Sequence, residues 1–213
     1  MNTIWILFAV IIAYLLGSIP TAVWYGKRFH GVDVRKHGSG NAGATNTFRV
    51  LGKRAGTIVM LVDILKGLSA TMLAFALISL AAITKGQLVE YKLLLGVTAV
   101  IGHVFPLYTN FKGGKGVATL LGMVVSIQPL VALLCIIVFL LTLTFSKYVS
   151  LSSLLATLAF PILLMLPPFK TDEPILIFFG FFMFLTLAIT HKKNIIRLLN
   201  GDENRTYLWA KKD

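Results

Sequence analysis

Gly116–Ser146 reads GVATLLGMVVSIQPLVALLCIIVFLLTLTFS, 31 residues without a charge. A helix needs about 20 apolar residues, at about 1.5 Å each, to cross a hydrocarbon core of about 30 Å. Read as one helix, the run gives the chain six spans. Broken at Gln128-Pro129, it gives seven. The break leaves a short piece, Gly116–Ile127, of about 18 Å at helical rise. That piece needs shelter by other helices or partial embedding.

The remaining spans lie on either side. Ile4–Trp24 is uncharged, and Met1-Asn2-Thr3 supplies no basic side chain, so it does not read as a signal peptide. Gly56–Ile83 is a second span that carries Asp63 and Lys66, and Leu93–Phe111 a third with His103 and Pro106. Val149–Phe169 and Pro174–Thr190 complete the set. Charge chooses between six and seven. Lys27, Arg28, Arg35 and Lys36 follow the first span, which puts the N-terminus outside. With seven spans the basic tail (Lys192, Lys193, Arg197, Arg205, Lys211, Lys212) is also cytoplasmic. Sixteen of the 20 Lys and Arg then lie inside, and Lys85, Lys92 and Lys170 outside. The positive-inside bias favours seven.

Composition agrees. Of 213 residues, 57% are hydrophobic and 13% charged, yet the net charge is +12. So apolar a chain of this length excludes an ordinary soluble enzyme and a disordered segment. No soluble part is large enough to present a nucleic-acid face. The expected fold is an all-α integral membrane protein, a bundle of about seven transmembrane helices forming a single domain over 1–213. Cys135, the lone cysteine, reads as a small buried hydrophobe.

Three polar stretches are candidates for chemistry. The first, Gly38-Ser39-Gly40-Asn41-Ala42-Gly43-Ala44-Thr45-Asn46-Thr47-Phe48-Arg49, contains G-x-G-x-x-G. No strand precedes it and Asp63 falls inside a span, so a dinucleotide fingerprint fails on context. Glycine-rich backbone, a following helix N-terminus, the Ser39, Thr45 and Asn46 side chains and the forked Arg49 cation still suit a phosphate. A plain polar loop is the competing reading. The second runs from Gly102-His103-Val104-Phe105-Pro106 to Lys112-Gly113-Gly114-Lys115-Gly116. It lacks the Walker A pattern, and reads as another anion cradle or as a basic topology-setting loop. In the third, 191–203, His191 and Asn194 share one side if it is helical; a basic juxtamembrane helix touching anionic lipid is the alternative. Asp63 and Lys66 are expected to pair, either for function or to order the loop above. No base–nucleophile dyad and no metal-ligand pattern is visible, and no cofactor is expected.

Together these motifs resemble the bacterial acyl-phosphate:glycerol-3-phosphate acyltransferase family (PlsY). The resemblance spans nearly the whole chain: Leu16-Gly17-Ser18-Ile19, Gly38–Arg49 with Leu51-Gly52-Lys53, Asp63 with Lys66-Gly67, Gly102–Thr119 and Asn194–Glu203. Thr190 stands where that family often has Arg before the His. The resemblance implies a bacterial inner-membrane enzyme with seven spans and a cytoplasmic site. It implies acyl transfer from acyl phosphate to the 1-hydroxyl of glycerol 3-phosphate, giving lysophosphatidate and phosphate, the first acylation of phospholipid synthesis.

An acyl phosphate is already activated, so no covalent acyl-enzyme is needed, and the leaving phosphate calls chiefly for charge neutralisation. Ser39, Arg49, Lys115 and His191 are the expected catalytic residues. Gly38, Gly40, Asn41, Gly43, Thr45, Asn46, Lys112, Gly113, Gly114 and Asn194 are the expected substrate contacts. The expected proton acceptor is the donor's own phosphate oxygen, with His191 or His103 as competing bases. The main rival class is a transporter of phosphate-bearing anions, followed by a lipid-binding scaffold. The residues do not define the oligomeric state.

Overall fold

The computed structural model describes residues 2–206, whose regular structure is helical with no strand among them. Lys211 and Lys212, expected on the cytoplasmic side, lie outside the described residues. The helices are α1 (Asn2–Ser18), α2 (Thr21–His30), α3 (Ala44–Ser79), α4 (Leu88–Val104), α5 (Val117–Ile127), α6 (Pro129–Ser146), α7 (Val149–Met165), α8 (Pro174–Thr190) and α9 (Lys192–Asn200).

The long uncharged run is thus two helices separated at Gln128, with Pro129 opening α6, where its missing N–H is harmless. Four other expected spans shift; Val149–Phe169 is α7, which stops at Met165, ahead of Pro167-Pro168. The segment read as one span, Ile4–Trp24, is α1 and α2 bent by 43° at Ile19-Pro20, because Pro20 cannot donate and disfavours helix at Ile19. The expected Gly56–Ile83 helix begins at Ala44, bends at Gly52 (φ 84°, ψ −178°) and ends at Ser79. A Cβ on Gly56 would overlap the Phe48 ring, so the first two turns fold back against the rest of α3. The expected Leu93–Phe111 span is α4, which starts earlier and stops at Val104, ahead of Pro106.

Among the described residues, three helical segments are long and apolar enough to cross a membrane unaided: α3, α4 with its flanking turns (Lys85–Thr109), and α6. The bent pairs α1/α2 and α8/α9 raise the number to 5, and α5 and α7 are shorter apolar helices. Large apolar side chains point outward along them, among them Phe145, Phe178 and Ile189. In water such a surface would aggregate; facing lipid tails it costs nothing.

The chain divides into two compact units, Met1–Ile127 and Gln128–Asp213. In the first, α3 packs against α1, α2, α4 and α5, and α1 packs against α4. Lipid offers no hydrophobic drive between helices, so close contact of small residues takes over. Ala9, Ala13, Ala70, Ala74 and Ala99 are buried together. A Cβ on Gly67 would overlap the Thr119 carbonyl, and one on Gly122 the Ile64 carbonyl, so α3 and α5 touch backbone to backbone. Lys92, expected in an outer loop, instead lies in α4 at 8% exposure and donates from Nζ to the Ser126 carbonyl at 2.7 Å. A cation there serves the orphan carbonyls at the C-terminal end of α5. In the second unit α7 packs against α6 and α8, and α9 rests on α7 and α8.

Candidate active site

The Gly38–Arg49 loop is built on two side chains. Asp33 accepts from the Arg35 N–H at 3.1 Å, Arg35 Nε at 3.0 Å and Nη2 at 2.8 Å. The Arg35 hydrogen bonds, with Lys27 at 3.5 Å, hold the Asp33 carboxyl well below the usual carboxylate range. Asn46 organises the turn between this acid and α3. It is 1% exposed, donates from Nδ2 to the carbonyls of Val34 (2.7 Å) and His37 (3.1 Å), and accepts the Ser39 N–H at Oδ1 (2.9 Å). Gly38, at φ 60°, passes so close to Asn46 that a Cβ would overlap Oδ1. The Gly40 N–H donates to the His37 carbonyl at 3.1 Å.

The Ser39 and Gly40 amides are therefore engaged inside the loop. Its outward chemistry lies instead at the start of α3. Gly43 occupies the N-cap of α3 with no side-chain cap hydrogen bond. The first amides of the short helical piece 44–51, ahead of the break at Gly52, thus lack a side-chain acceptor at the positive end of its dipole. Thr45 and Arg49, four residues apart, are exposed on its first turns, as is Ser39; Asn41 and Gly43 are half-buried.

The second stretch forms the return from α4 to α5. The Gly113 N–H donates to the Val104 carbonyl and the Gly114 N–H to the His103 carbonyl, each at 3.2 Å. These bonds satisfy the open end of α4. A Cβ on Gly113 would overlap the His103 carbonyl, and one on Gly114 would overlap His103 Nε2. The glycine pair lets the chain lie on His103, leaving the outward chemistry to Lys112, which is exposed, and Lys115, which is half-buried.

Beneath this return is a buried polar network. Asp63 and Lys66 pair at 2.8 Å, Thr21 Oγ1 donates to Asp63 at 3.0 Å, and Lys66 Nζ donates to the Ile19 carbonyl at 2.9 Å. His103 Nδ1 lies 3.1 Å from Thr119 Oγ1 and 3.7 Å from Asp63 Oδ1.

In the second unit, α8 turns 68° into α9 at His191. His191 is 3% exposed, with Nδ1 at 2.9 Å from the Leu187 carbonyl. A carbonyl only accepts, so Nδ1 carries the proton. Asn194 is half-buried and donates to Glu203 Oε1 at 2.6 Å; Ser150 Oγ donates to the same oxygen at 3.1 Å, and Arg197 Nε to Oε2 at 2.7 Å. Gly201, at φ 78°, turns the chain back so that Glu203 reaches these donors. Burial alone would raise the Glu203 carboxyl, but the Arg197, Asn194 and Ser150 hydrogen bonds win and lower it. Sequence reasoning gives Glu203 no role, because Ser150 is 53 residues away. The one available signal is an acid just beyond a helix-ending glycine.

A group whose carboxyl is lowered by folding stabilises the fold fully above its unfolded value and loses that contribution as pH falls through the folded one. Glu203→Gln should therefore cost about 2 kcal/mol near neutral pH, the scale of a hydrogen bond to a charged group. The gap from wild type should shrink at acidic pH. Thermal unfolding of both proteins in detergent, compared across pH, checks this.

The fold and these polar loops define an all-helical integral membrane protein. Two crystal structures of PlsY (YgiH), an integral membrane glycerol 3-phosphate acyltransferase, resemble it with a TM-score of 0.80 and 37% identity. They cover 95% of this chain and 96% or 95% of theirs, one in the glycerol 3-phosphate form and one in the lysophosphatidic acid form. The glycerol-3-phosphate acyltransferase of Salinibacter ruber is 43% identical over 92% of this chain and 90% of its own. That of Listeria welshimeri is 46% identical over 94% and 96%. Residues 7–201 match the glycerol-3-phosphate acyltransferase family, and the chain belongs to that family.

Proposed function

We propose that this protein transfers a fatty acyl group from acyl phosphate to the 1-hydroxyl of glycerol 3-phosphate, releasing lysophosphatidate and inorganic phosphate. The observation that carries this reading is the start of α3. An Asn46-stapled glycine loop leads into a helix N-terminus without a side-chain cap, with Ser39, Thr45 and Arg49 exposed around it. Backbone donors, hydroxyls and a guanidinium suit a phosphate, and no acidic side chain stands between Gly38 and Arg49 to repel it.

The 1-hydroxyl oxygen attacks the acyl carbonyl carbon. The tetrahedral intermediate then expels phosphate by breaking the carbonyl carbon–oxygen bond. The hydroxyl proton passes to an oxygen of the donor's own phosphate, which leaves as hydrogen phosphate. Arg49 and Lys115 act as catalytic residues by neutralising charge that grows on the leaving group and the oxyanion. Ser39 and Thr45 donate from their hydroxyls, and Lys112 draws the anionic substrates in. Because the Ser39 and Gly40 amides are engaged, Gly38, Gly40, Asn41 and Gly43 serve the site by shaping the turn into α3. Asn46 positions the loop, its amide being fully occupied there. Gly113 and Gly114 likewise set the course of the backbone between the two lysines. Holding both substrates in register supplies proximity.

His191 and Asn194 help place glycerol 3-phosphate. His191→Ala should raise the KM for glycerol 3-phosphate about tenfold and leave the chemical step intact, as for loss of a ground-state contact. Lost chemistry at unchanged substrate affinity would instead make His191 the base. The proposed enzyme works as one domain over 1–213, in a bacterial inner membrane, with seven spans, an outside N-terminus and a cytoplasmic site. Positive charge concentrated around the proposed cytoplasmic segments supports that orientation. Purified protein in detergent, given acyl phosphate, glycerol 3-phosphate and a chelator, should form lysophosphatidate and phosphate in equal amounts. Folded protein that forms neither would overturn the proposal.

A further inference from the structure

The buried network under the second polar stretch is larger than a structural ion pair requires, and its shape points at one residue. His103 closes α4 at 7% exposure. Its ring touches the following chain on both sides of Lys115. Nε2 lies against Gly114, where a Cβ would overlap it, and Nδ1 lies 3.1 Å from Thr119 Oγ1. The backbone repeats the grip, since the Gly114 N–H donates to the His103 carbonyl. Behind the ring stands Asp63, 3.7 Å from Nδ1, itself held by Thr21 on α2 and by Lys66 on its own helix. Lys66 in turn donates to the Ile19 carbonyl, exposed by the break between α1 and α2. One connected set of polar contacts therefore runs from the α1/α2 break through α3 and α4 to the residues flanking Lys115.

We infer that His103 is a positioning residue for Lys115: its ring, braced by Asp63 and Lys66, fixes the backbone from Gly114 to Thr119 so that the lysine meets the donor phosphate at a set place. This inference rests on the proposed acyl-phosphate reading. It removes His103 from the candidate bases, because both ring nitrogens face the protein's own loop. A charged side chain on a glycine-rich return needs such bracing, because the donor phosphate is already an anion in the bound state and a cation on a loosened backbone binds it less well.

The test is a mutant cycle between His103 and Gly114, read as KM for acyl phosphate and kcat in purified protein. Gly114→Ala drives a methyl group into the imidazole and should raise the KM about tenfold or more. His103→Ala removes the brace and should raise it by a similar factor. The double variant should stay within about threefold of His103→Ala alone, because the added methyl enters the vacated space; such non-additivity is the signature of contact. Throughout, kcat should stay within about threefold of wild type, the pattern of a binding defect. A role limited to stability would lower the yield of active protein without moving KM. His103→Asn, which keeps a polar group toward Thr119 and frees the Gly114 side, gives the same cycle if His103→Ala does not fold.

Multiplying effects, about a hundredfold in the double variant, would overturn the inference, as would an unchanged KM in both His103 variants. A fall in kcat of about a hundredfold in His103→Asn at unchanged KM would make His103 a base instead. Wild-type turnover of acyl phosphate in the same assay separates failure of this inference from failure of the reading beneath it.

Discussion

Arg49→Ala is expected to lower kcat/KM by about a hundredfold, the lower range for removing one donor to developing negative charge, because its forked guanidinium suits a phosphate while its exposure weakens the charge. Arg49 is exposed on the first turns of α3, with Thr45 one turn before it. Its loss leaves the Asn46 contacts to Val34, His37 and Ser39 intact, so the protein should fold normally. Arg49→Lys should recover only part of the loss, because an ammonium keeps the charge and loses the forked geometry that matches a phosphate. Rates of lysophosphatidate formation, with thermal unfolding of the same preparations, check both. A near-normal rate in Arg49→Ala would take this residue out of the site.

The second large effect is expected at Lys115. Lys115→Ala should cost about a hundredfold in kcat/KM, with Lys112→Ala costing less. Exposure separates the two: Lys112 is exposed, where salt screens a charge most, and Lys115 is half-buried beside Gly114. If the losses are equal and small, the return between α4 and α5 acts as a basic topology signal and not as a phosphate site. Steady-state kinetics on the two variants, at low and raised ionic strength, distinguish these cases. The Lys112 effect should fade with salt and the Lys115 effect persist.

Much of this architecture is legible in the residues, for a physical reason. Apolar runs announce membrane helices whatever their neighbours are, and Gln128-Pro129 marks the break between α5 and α6. The Asp63–Lys66 pair follows from helical spacing, since residues three apart share a face. The breaks at Ile19-Pro20 and Gly52 are harder to read. Pro20 sits inside an uncharged run, where counting apolar residues hides a bend, and a glycine in a helical pattern reads as a helix residue until its φ is known.

Site residues are legible as types but not always in their roles. Asn46 looks like a substrate donor in a glycine-rich loop. Its amide reaches back 12 residues to Val34, a contact set by the fold and absent from any local pattern. Gly113 and Gly114 look like a cradle of free amides, yet the end of α4 needs those donors. Lys92 marks a span edge by its charge, while its side chain turns inward to the end of α5. In each case a backbone group in a lipid-facing bundle has to be satisfied within the protein, and the nearest suitable side chain is recruited. That requirement depends on three-dimensional neighbours, which spacing alone does not give.

The choice among acyltransferase, anion transporter and lipid scaffold rests, in the residues, on three polar stretches. Family membership over residues 7–201 settles the class as glycerol-3-phosphate acyltransferase. The acyl donor separates this enzyme from acyltransferases that use thioesters. The most direct measurement offers the purified protein acyl phosphate, acyl-CoA and acyl carrier protein thioester, all with the same chain, together with labelled glycerol 3-phosphate. Labelled lysophosphatidate is expected from acyl phosphate alone, with phosphate released in equal amount. Labelled product from a thioester, with none from acyl phosphate, would contradict the proposed reaction.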